Sequence, residues 1–280
     1  RLLLPAAGGL AIGLSLQFLK EETRQVGIVH VMERLAYHQG NLPLRNSIVQ
    51  FIGVTACIIS GHSIGREGPS AHLGATSGSL LSQWLHLPNN NRRTLAACGI
   101  AAAIAASFNT PLAGVIFSME VVMMDYTMLS FAPVILSAVI ATTLTQAVFG
   151  DSPVFSIPGT QLGSLLELPI ILATGILLGS LAALFIHLLQ RSTSFSVSWP
   201  IWLRCSLGGL LVGMIAVAVP EVMGIGYDTV NQALIGQLGL TALLTITFAK
   251  ILATALGLGL GLPGGLIGPT LVIGAVAGGA

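Results

Sequence analysis

Gly61-His62-Ser63-Ile64-Gly65-Arg66-Glu67-Gly68-Pro69 is a glycine-punctuated polar stretch set against a long apolar run. Its glycines let the backbone leave helical geometry, and Pro69 is a good first residue for a new helix. The stretch therefore reads as a chain that breaks, exposes backbone N–H groups and restarts as a helix. Such an opening binds anions, because its N–H groups have no partner inside the helix and carry the positive end of the dipole. Glu67 lies in this opening. An ionisable side chain at membrane depth is costly and is by default a functional-site candidate. A carboxylate at an anion-binding helix start reads as a gate that competes with the anion. The plainer alternative, an ion pair with Arg66, is weakened because neighbours in a helix do not face each other.

Composition sets that stretch in a membrane. Of 280 residues, 54% are hydrophobic and only 8% charged, and the mean hydropathy is +0.89. Soluble domains carry about 25% charged residues, so this is an integral membrane protein. A net charge of +1 argues against a nucleic-acid partner. Arg92-Arg93, and Arg24 with Arg34, are small enough to be interface anchors only. Cys57, Cys98 and Cys205 lie in apolar stretches without metal spacing and read as small buried hydrophobes. His30, His62, His72, His86 and His187 show no ligand cluster, so no metal or other cofactor is expected. The chain starts at Arg1 and stops inside an apolar run at Ala280, so it reads as a fragment of a longer protein.

Apolar stretches run roughly over 2–19, 46–62, 94–107, 109–124, 128–149, 168–190, 200–220, 238–259 and 265–280. A full span needs about 20 residues, and several of these are shorter or broken by Gly or Pro. Short broken helices characterise transporters that build a site from half-helix ends. Polar connections are expected near 20–27, 38–45, 88–93, 150–167 and 191–199, with Asn89-Asn90-Asn91 after Pro88 a loop signal. Gly175/Gly179 and Gly209/Gly213 are spaced for close helix packing. Gly261-Leu262-Pro263-Gly264-Gly265-Leu266-Ile267-Gly268-Pro269 is a second Gly/Pro-rich break leading into an apolar helix.

Other motifs carry rival readings. Gly61-His62-Ser63-Ile64-Gly65 fits the G-x-S-x-G elbow of serine hydrolases, which needs a strand before it and a helix after. The whole chain argues against that context, but a membrane-embedded hydrolase using Ser63 stands as the alternative from another class. A non-transporting scaffold is a third. Phe108-Asn109-Thr110-Pro111-Leu112-Ala113-Gly114 breaks two apolar helices, with Asn109 a candidate N-cap or simply part of a tight turn. Glu120 and Asp125 read as interfacial carboxylates or proton-relay groups. Lys250, inside an apolar helix, is expected to snorkel or pair.

Three of these segments together resemble the CLC family of chloride channels and chloride/proton antiporters. Gly65 to Pro69 matches its gating-glutamate motif. Phe108 to Gly114 resembles its Phe-Asn-x-Pro-Leu-Ala-Gly stretch. Gly261 to Pro269, preceded by Ala249-Lys250-Ile251-Leu252-Ala253-Thr254, is similar to its Gly-x-x-Gly-Gly-x-x-x-Pro segment. The resemblance implies a homodimer with one pore per subunit, in the lipid bilayer of the cell (inner) membrane. It implies an all-α integral membrane fold, an inverted-repeat bundle of tilted, broken helices within a single transmembrane domain over 1–280, with 1–150 the first repeat and 168–280 part of a truncated second. It further implies transport of chloride or a similar small anion, with protons as a possible second cargo and Glu67 as the gate. The backbone around Gly65, Arg66, Glu67 and Gly68 would form an outer anion site, and Leu266 and Ile267 would help form a central one.

Three departures qualify this. Val26, in Gln25-Val26-Gly27-Ile28-Val29, stands where the family's serine contacts the central anion, and valine cannot donate a hydrogen bond. Fluoride or another anion is therefore a live substrate. Val121, next to Glu120, stands where antiporters carry an inner proton-transfer glutamate, which favours a channel over an antiporter. The family's pore tyrosine belongs to a segment beyond Ala280.

Overall fold

The computed structural model describes every residue except Gln25, Val26, Asp125, Tyr126, 156–158 and 160–163. Among the described residues there are thirteen α-helices. In order they are α1 Leu3–Gln17, α2 Glu21–Arg24, α3 Gly27–Tyr37, α4 Leu44–Ile59, α5 Glu67–Trp84, α6 Asn89–Phe108 and α7 Pro111–Ile116. These are followed by α8 Met128–Phe149, α9 Leu168–Ser196, α10 Ile201–Ala218, α11 Tyr227–Leu234, α12 Leu240–Gly259 and α13 Ile267–Gly278. A π-helical stretch, Phe117–Met123, continues α7. The described residues hold no strand, only one isolated antiparallel bridge between Gly65 and Gly265.

The chain packs as two compact units: Leu19–Val54 with Arg66–Val154, and Arg1–Phe18 with Thr55–Gly65 and Phe155–Ala280. In the first of these, small residues let α5 and α6 touch backbone to backbone. A Cβ on Gly74 would strike the Gly99 carbonyl, and one on Gly78 would strike that of Leu95. Apolar burial is a weak driving force among lipid tails, so such close van der Waals contact is what joins the helices. The core beside it gathers Ala97, Ala101 and Ala105 of α6 with Val115, Met119, Val134 and Ala138.

In the second unit α1 lies along α10 by the same device. A Cβ on Gly209 would meet the carbonyl of Pro5, and one on Gly13 would meet Trp202 at 2.8 Å. α12 is the buried axis of this unit. Its Ala249 and Ala253 pack with Val212 and Ala216 of α10, and its Ile251 and Ala255 with Phe185 of α9 and Ile273 of α13.

Four helical stretches among the described residues are long and apolar enough to cross a membrane: Ser130–Phe149, Leu165–Ser196, Ile201–Ala218 and Leu240–Gly259. Each expected apolar stretch contains a helix, but several polar expectations need correction. Asn89-Asn90-Asn91 is not a loop; it is the first turn of α6, with Pro88 as its N-cap. Asparagine suits that turn because its N–H groups lack helical partners. The expected connection at 191–199 is helical to Ser196, where Thr193 and Ser196 fold their hydroxyls back onto the carbonyls of Leu189 and Ser192. Gly209 and Gly213 are packing sites as expected. Gly175 and Gly179 are not, since a Cβ there meets nothing within 4 Å.

Candidate functional site

Helix α4 ends in a Schellman turn. His62 N–H donates to the Cys57 carbonyl and Gly61 N–H to that of Ile58, each at 3.0 Å, with Gly61 at φ +79°. A left-handed glycine is what such a cap requires. The chain then runs to Gly65, whose N–H and carbonyl each bond Gly265 at 2.8 Å. Non-helical backbone at membrane depth must satisfy its polar groups within the protein, and these bonds do so. Arg66 is the N-cap of α5, and Glu67 its first residue. Pro69 is thus the third residue of the helix rather than the first. It is tolerated because N–H groups in the first turn have no intrahelical acceptor.

Glu67 is fully buried, 0% exposed. Arg66 Nε lies 4.0 Å from its Oε1, at the outer limit of an ion pair, with Arg66 half exposed. Gly68 is buried beside it. Gly65, by contrast, has its N–H committed to the Gly265 carbonyl, which pins the turn just before the helix start.

The second break is built alike. Leu262 N–H bonds the Gly257 carbonyl at 3.2 Å and Gly261 N–H that of Leu258 at 2.9 Å, with Gly261 at φ +94°. Leu266 is the N-cap of α13 and Ile267 its first residue. Leu266 is 40% exposed, and Ile267 is half-buried.

Arg66 and Asn109 line one open pocket of about 450 Å³, together with Ser70, Ser107, Thr145 and Ser152. Asn109 is not the N-cap of α7; that is Thr110. Asn109 ends α6 in the left-handed conformation at φ +57°. Its Oδ1 accepts from Gln146 at 2.8 Å and its Nδ2 donates to Asp151 at 3.3 Å.

Glu120 and Val121 lie on the π-helical stretch, both exposed. Val26 and Asp125 fall outside the described residues. Lys250 does not snorkel. It is fully buried, and its Nζ donates to the carbonyls of Val222 at 3.0 Å and Gly224 at 2.9 Å.

Ser63 is buried against Thr254, Oγ to Oγ1 2.9 Å. The neighbouring His62 turns its Nδ1 to Ser60 Oγ and the Cys57 carbonyl instead. A helix, not a strand, leads into the motif, so the elbow context is not met.

One residue escaped the sequence reading. Gln50, fully buried on α4, accepts the N–H of Gly27, the first residue of α3, on Oε1 at 3.1 Å. Its Nε2 is buried with no hydrogen-bond partner. A buried unmade donor costs about 1–3 kcal/mol, so the amide is poised for an acceptor. The signal was there: a single amide inside Ile48-Val49-Gln50-Phe51-Ile52.

Comparison with known proteins gives a consistent picture. The sequence model of the family described as voltage gated chloride channel matches residues 8–280. A putative chloride channel protein ClcB-like of Ralstonia nicotianae is 37% identical over 99% of this chain and 66% of its own length. The voltage-gated ClC-type chloride channel ClcB of Escherichia coli is 34% identical over 99% of this chain and 67% of its own. The chain thus spans about two thirds of these relatives. Among solved structures, a CLC-type fluoride/proton antiporter superposes with TM-score 0.84 at 23% identity, covering 96% of this chain and 68% of that one. A slow cyanobacterial Cl-/H+ antiporter gives 0.83 at 24%, covering 96% and 65%. At that identity the likeness is one of fold.

Proposed function

The chain belongs to the voltage gated chloride channel family, and on that premise we propose that the complete protein carries chloride or a similar small anion across the cell membrane, gated by Glu67. The observation that carries the reading is the fully buried carboxylate of Glu67 at the first position of an 18-residue helix. A buried carboxylate and a free anion suit the same donors, so each excludes the other. Backbone N–H groups hold an anion without a fixed positive charge, so it binds and can still leave.

In this reading the donors of Arg66, Glu67 and Gly68 form one anion site, with Gly65 as its anchor. Those of Leu266 and Ile267 serve another. Gln50 Nε2 supports anion contact at the start of α3, where Val26 offers no hydroxyl. Chloride conduction without proton movement is the leading form, because Val121 cannot take up a proton. Antiport of chloride, fluoride or another anion against protons is the second. The working protein is a homodimer of two-repeat subunits, and lipid covers the exposed apolar length of α9. Ser63, held by Thr254, is given no catalytic role.

The test is simultaneous chloride and proton flux from liposomes holding the full-length protein under a chloride gradient. Chloride efflux without proton movement supports a channel, and uphill proton movement supports an antiporter. Efflux no faster than from empty liposomes overturns the proposal.

A further inference from the structure

Helices α3, α4 and α5 carry a buried polar chain that the gate does not use. His30 Nδ1 lies 3.0 Å from His72 Nε2, and His72 Nδ1 lies 3.2 Å from Ser47 Oγ. Ser47 Oγ donates to Thr76 Oγ1 at 2.6 Å, and Thr76 Oγ1 donates to the His72 carbonyl at 2.9 Å. All four side chains are buried, His30 the least at 5% exposed.

Counting hydrogens fixes the direction of the chain, since a hydroxyl has one to give. The hydrogen of Thr76 goes to the carbonyl, and that of Ser47 goes to Thr76. Ser47 Oγ can therefore only accept from His72, whose Nδ1 must carry the proton. A neutral imidazole has one N–H, so His72 Nε2 is the acceptor and His30 Nδ1 the donor. The lone pair left at the end of the chain is on His30 Nε2.

We propose that the His30–His72 pair is a proton-binding site that takes up one proton from water at His30 Nε2. The added proton leaves His30 with N–H on both nitrogens. The hydrogen between the rings then lies between His30 Nδ1 and His72 Nε2, so the pair shares the charge and neither buried ring carries it alone. No other bond changes. The Ser47–Thr76 arm ends on a carbonyl, which has no proton to hand on. It orients His72 and makes the pair a store rather than a wire.

Charged groups around the pair are Glu33 and Arg34 on α3 and His38 just past its end, whose fields reach His30. α5 adds Glu67, five residues before His72, and α4 adds Arg45. Glu120 lies on the π-helical stretch that packs on α3. A filled pair puts a positive charge between α3 and the helix that Glu67 begins. Building on the anion-transport reading, the pair makes anion flux proton-dependent in its own right.

Two measurements on the full-length protein separate the site from that reading. The first is solid-state NMR of ¹⁵N-histidine protein in lipid vesicles, titrated from about pH 8 to about pH 5. After subtraction of the spectrum of the His30→Gln/His72→Gln double variant, which carries the other four histidines, both rings should start as neutral Nδ1–H tautomers, and one imidazolium should appear. It should vanish in His30→Gln and in His72→Gln, the two variants guarding against misfolding of either. If both rings stay neutral, or if the imidazolium survives in a folded variant, the proposal is overturned. The second is chloride efflux in a Glu67→Gln background, where the gate no longer titrates. Flux should still change several-fold over that range, and adding His72→Gln should flatten it. A pH-independent Glu67→Gln flux overturns the link to transport. Absence of flux at every pH, with the imidazolium present, overturns the anion reading and not the proton site.

Discussion

Gly65-Arg66-Glu67-Gly68-Pro69 and Gly265-Leu266-Ile267-Gly268-Pro269 stand two hundred residues apart and share a backbone almost bond for bond. Each follows a helix closed by a left-handed glycine, Gly61 or Gly261. Each begins its next helix on a residue whose carbonyl takes the N–H four positions on, Ser70 to Arg66 at 2.9 Å and Thr270 to Leu266 at 3.0 Å. The hydroxyls of Ser70 and Thr270 return to the same carbonyls. What differs is the side chain on the first helical residue: a buried carboxylate in one, an isoleucine in the other. On the proposed reading the backbone supplies an opening for an anion in both places, and only Glu67 adds a group that fills such an opening itself, so the pair would separate what binds from what gates.

The sharpest way to break that comparison is to remove its one difference. Glu67→Ala should raise chloride efflux about tenfold if the carboxylate holds its place by about 1.4 kcal/mol, and Glu67→Gln should act likewise. Any proton coupling should vanish in both. Loss of flux in folded protein would end the gating role. Ile267→Glu tests the converse. A carboxylate at the second helix start should compete there too and lower efflux to a minor fraction of wild type; unchanged efflux would mean that Ile267 does not border the anion.

Gln50→Leu keeps the volume and deletes both the Nε2 donor and the Oε1 acceptor of the Gly27 N–H. Hydrogen bonds to charged groups contribute about 1.5–3 kcal/mol, so apparent chloride affinity should fall about tenfold or more, read as the half-saturating concentration for flux. Gly61→Ala and Gly261→Ala probe the shared cap. A left-handed Cβ costs about 1–2 kcal/mol, and both should lower the thermal midpoint in detergent. Gly61→Ala should be the worse, because its Cβ would overlap the Met223 methyl, whereas that of Gly261 would meet Ile201 only at 3.1 Å. Ser63→Ala should have the smallest effect, about 1 kcal/mol for the lost bond to Thr254. Transport should persist, and neither form should label with a fluorophosphonate.

Helix positions were legible because apolar runs report burial in protein or lipid. Where polar residues fill a helix, the run fails as a signal. α5, rich in Ser and Gly, was visible only through the glycines before it and Pro69 within it. Asn109 illustrates a different limit. Asparagine suits both an N-cap and a left-handed C-cap, and only its left-handed backbone, with its N–H on the Ala105 carbonyl, shows that it closes α6. The role of Gln50 was hidden because its acceptor function toward Gly27 spans 23 residues.

The sequence alone determined that this is a membrane protein of broken helices with a carboxylate at one break. Charge content, apolar runs and Gly/Pro spacing act through local physics and need no partner. Only the tertiary structure decided that Gly65 pairs with Gly265, that His30 meets His72, and that Ser63 is locked by Thr254. Those contacts join residues far apart in the chain, and a hydrogen bond has no periodicity from which its distant partner can be read.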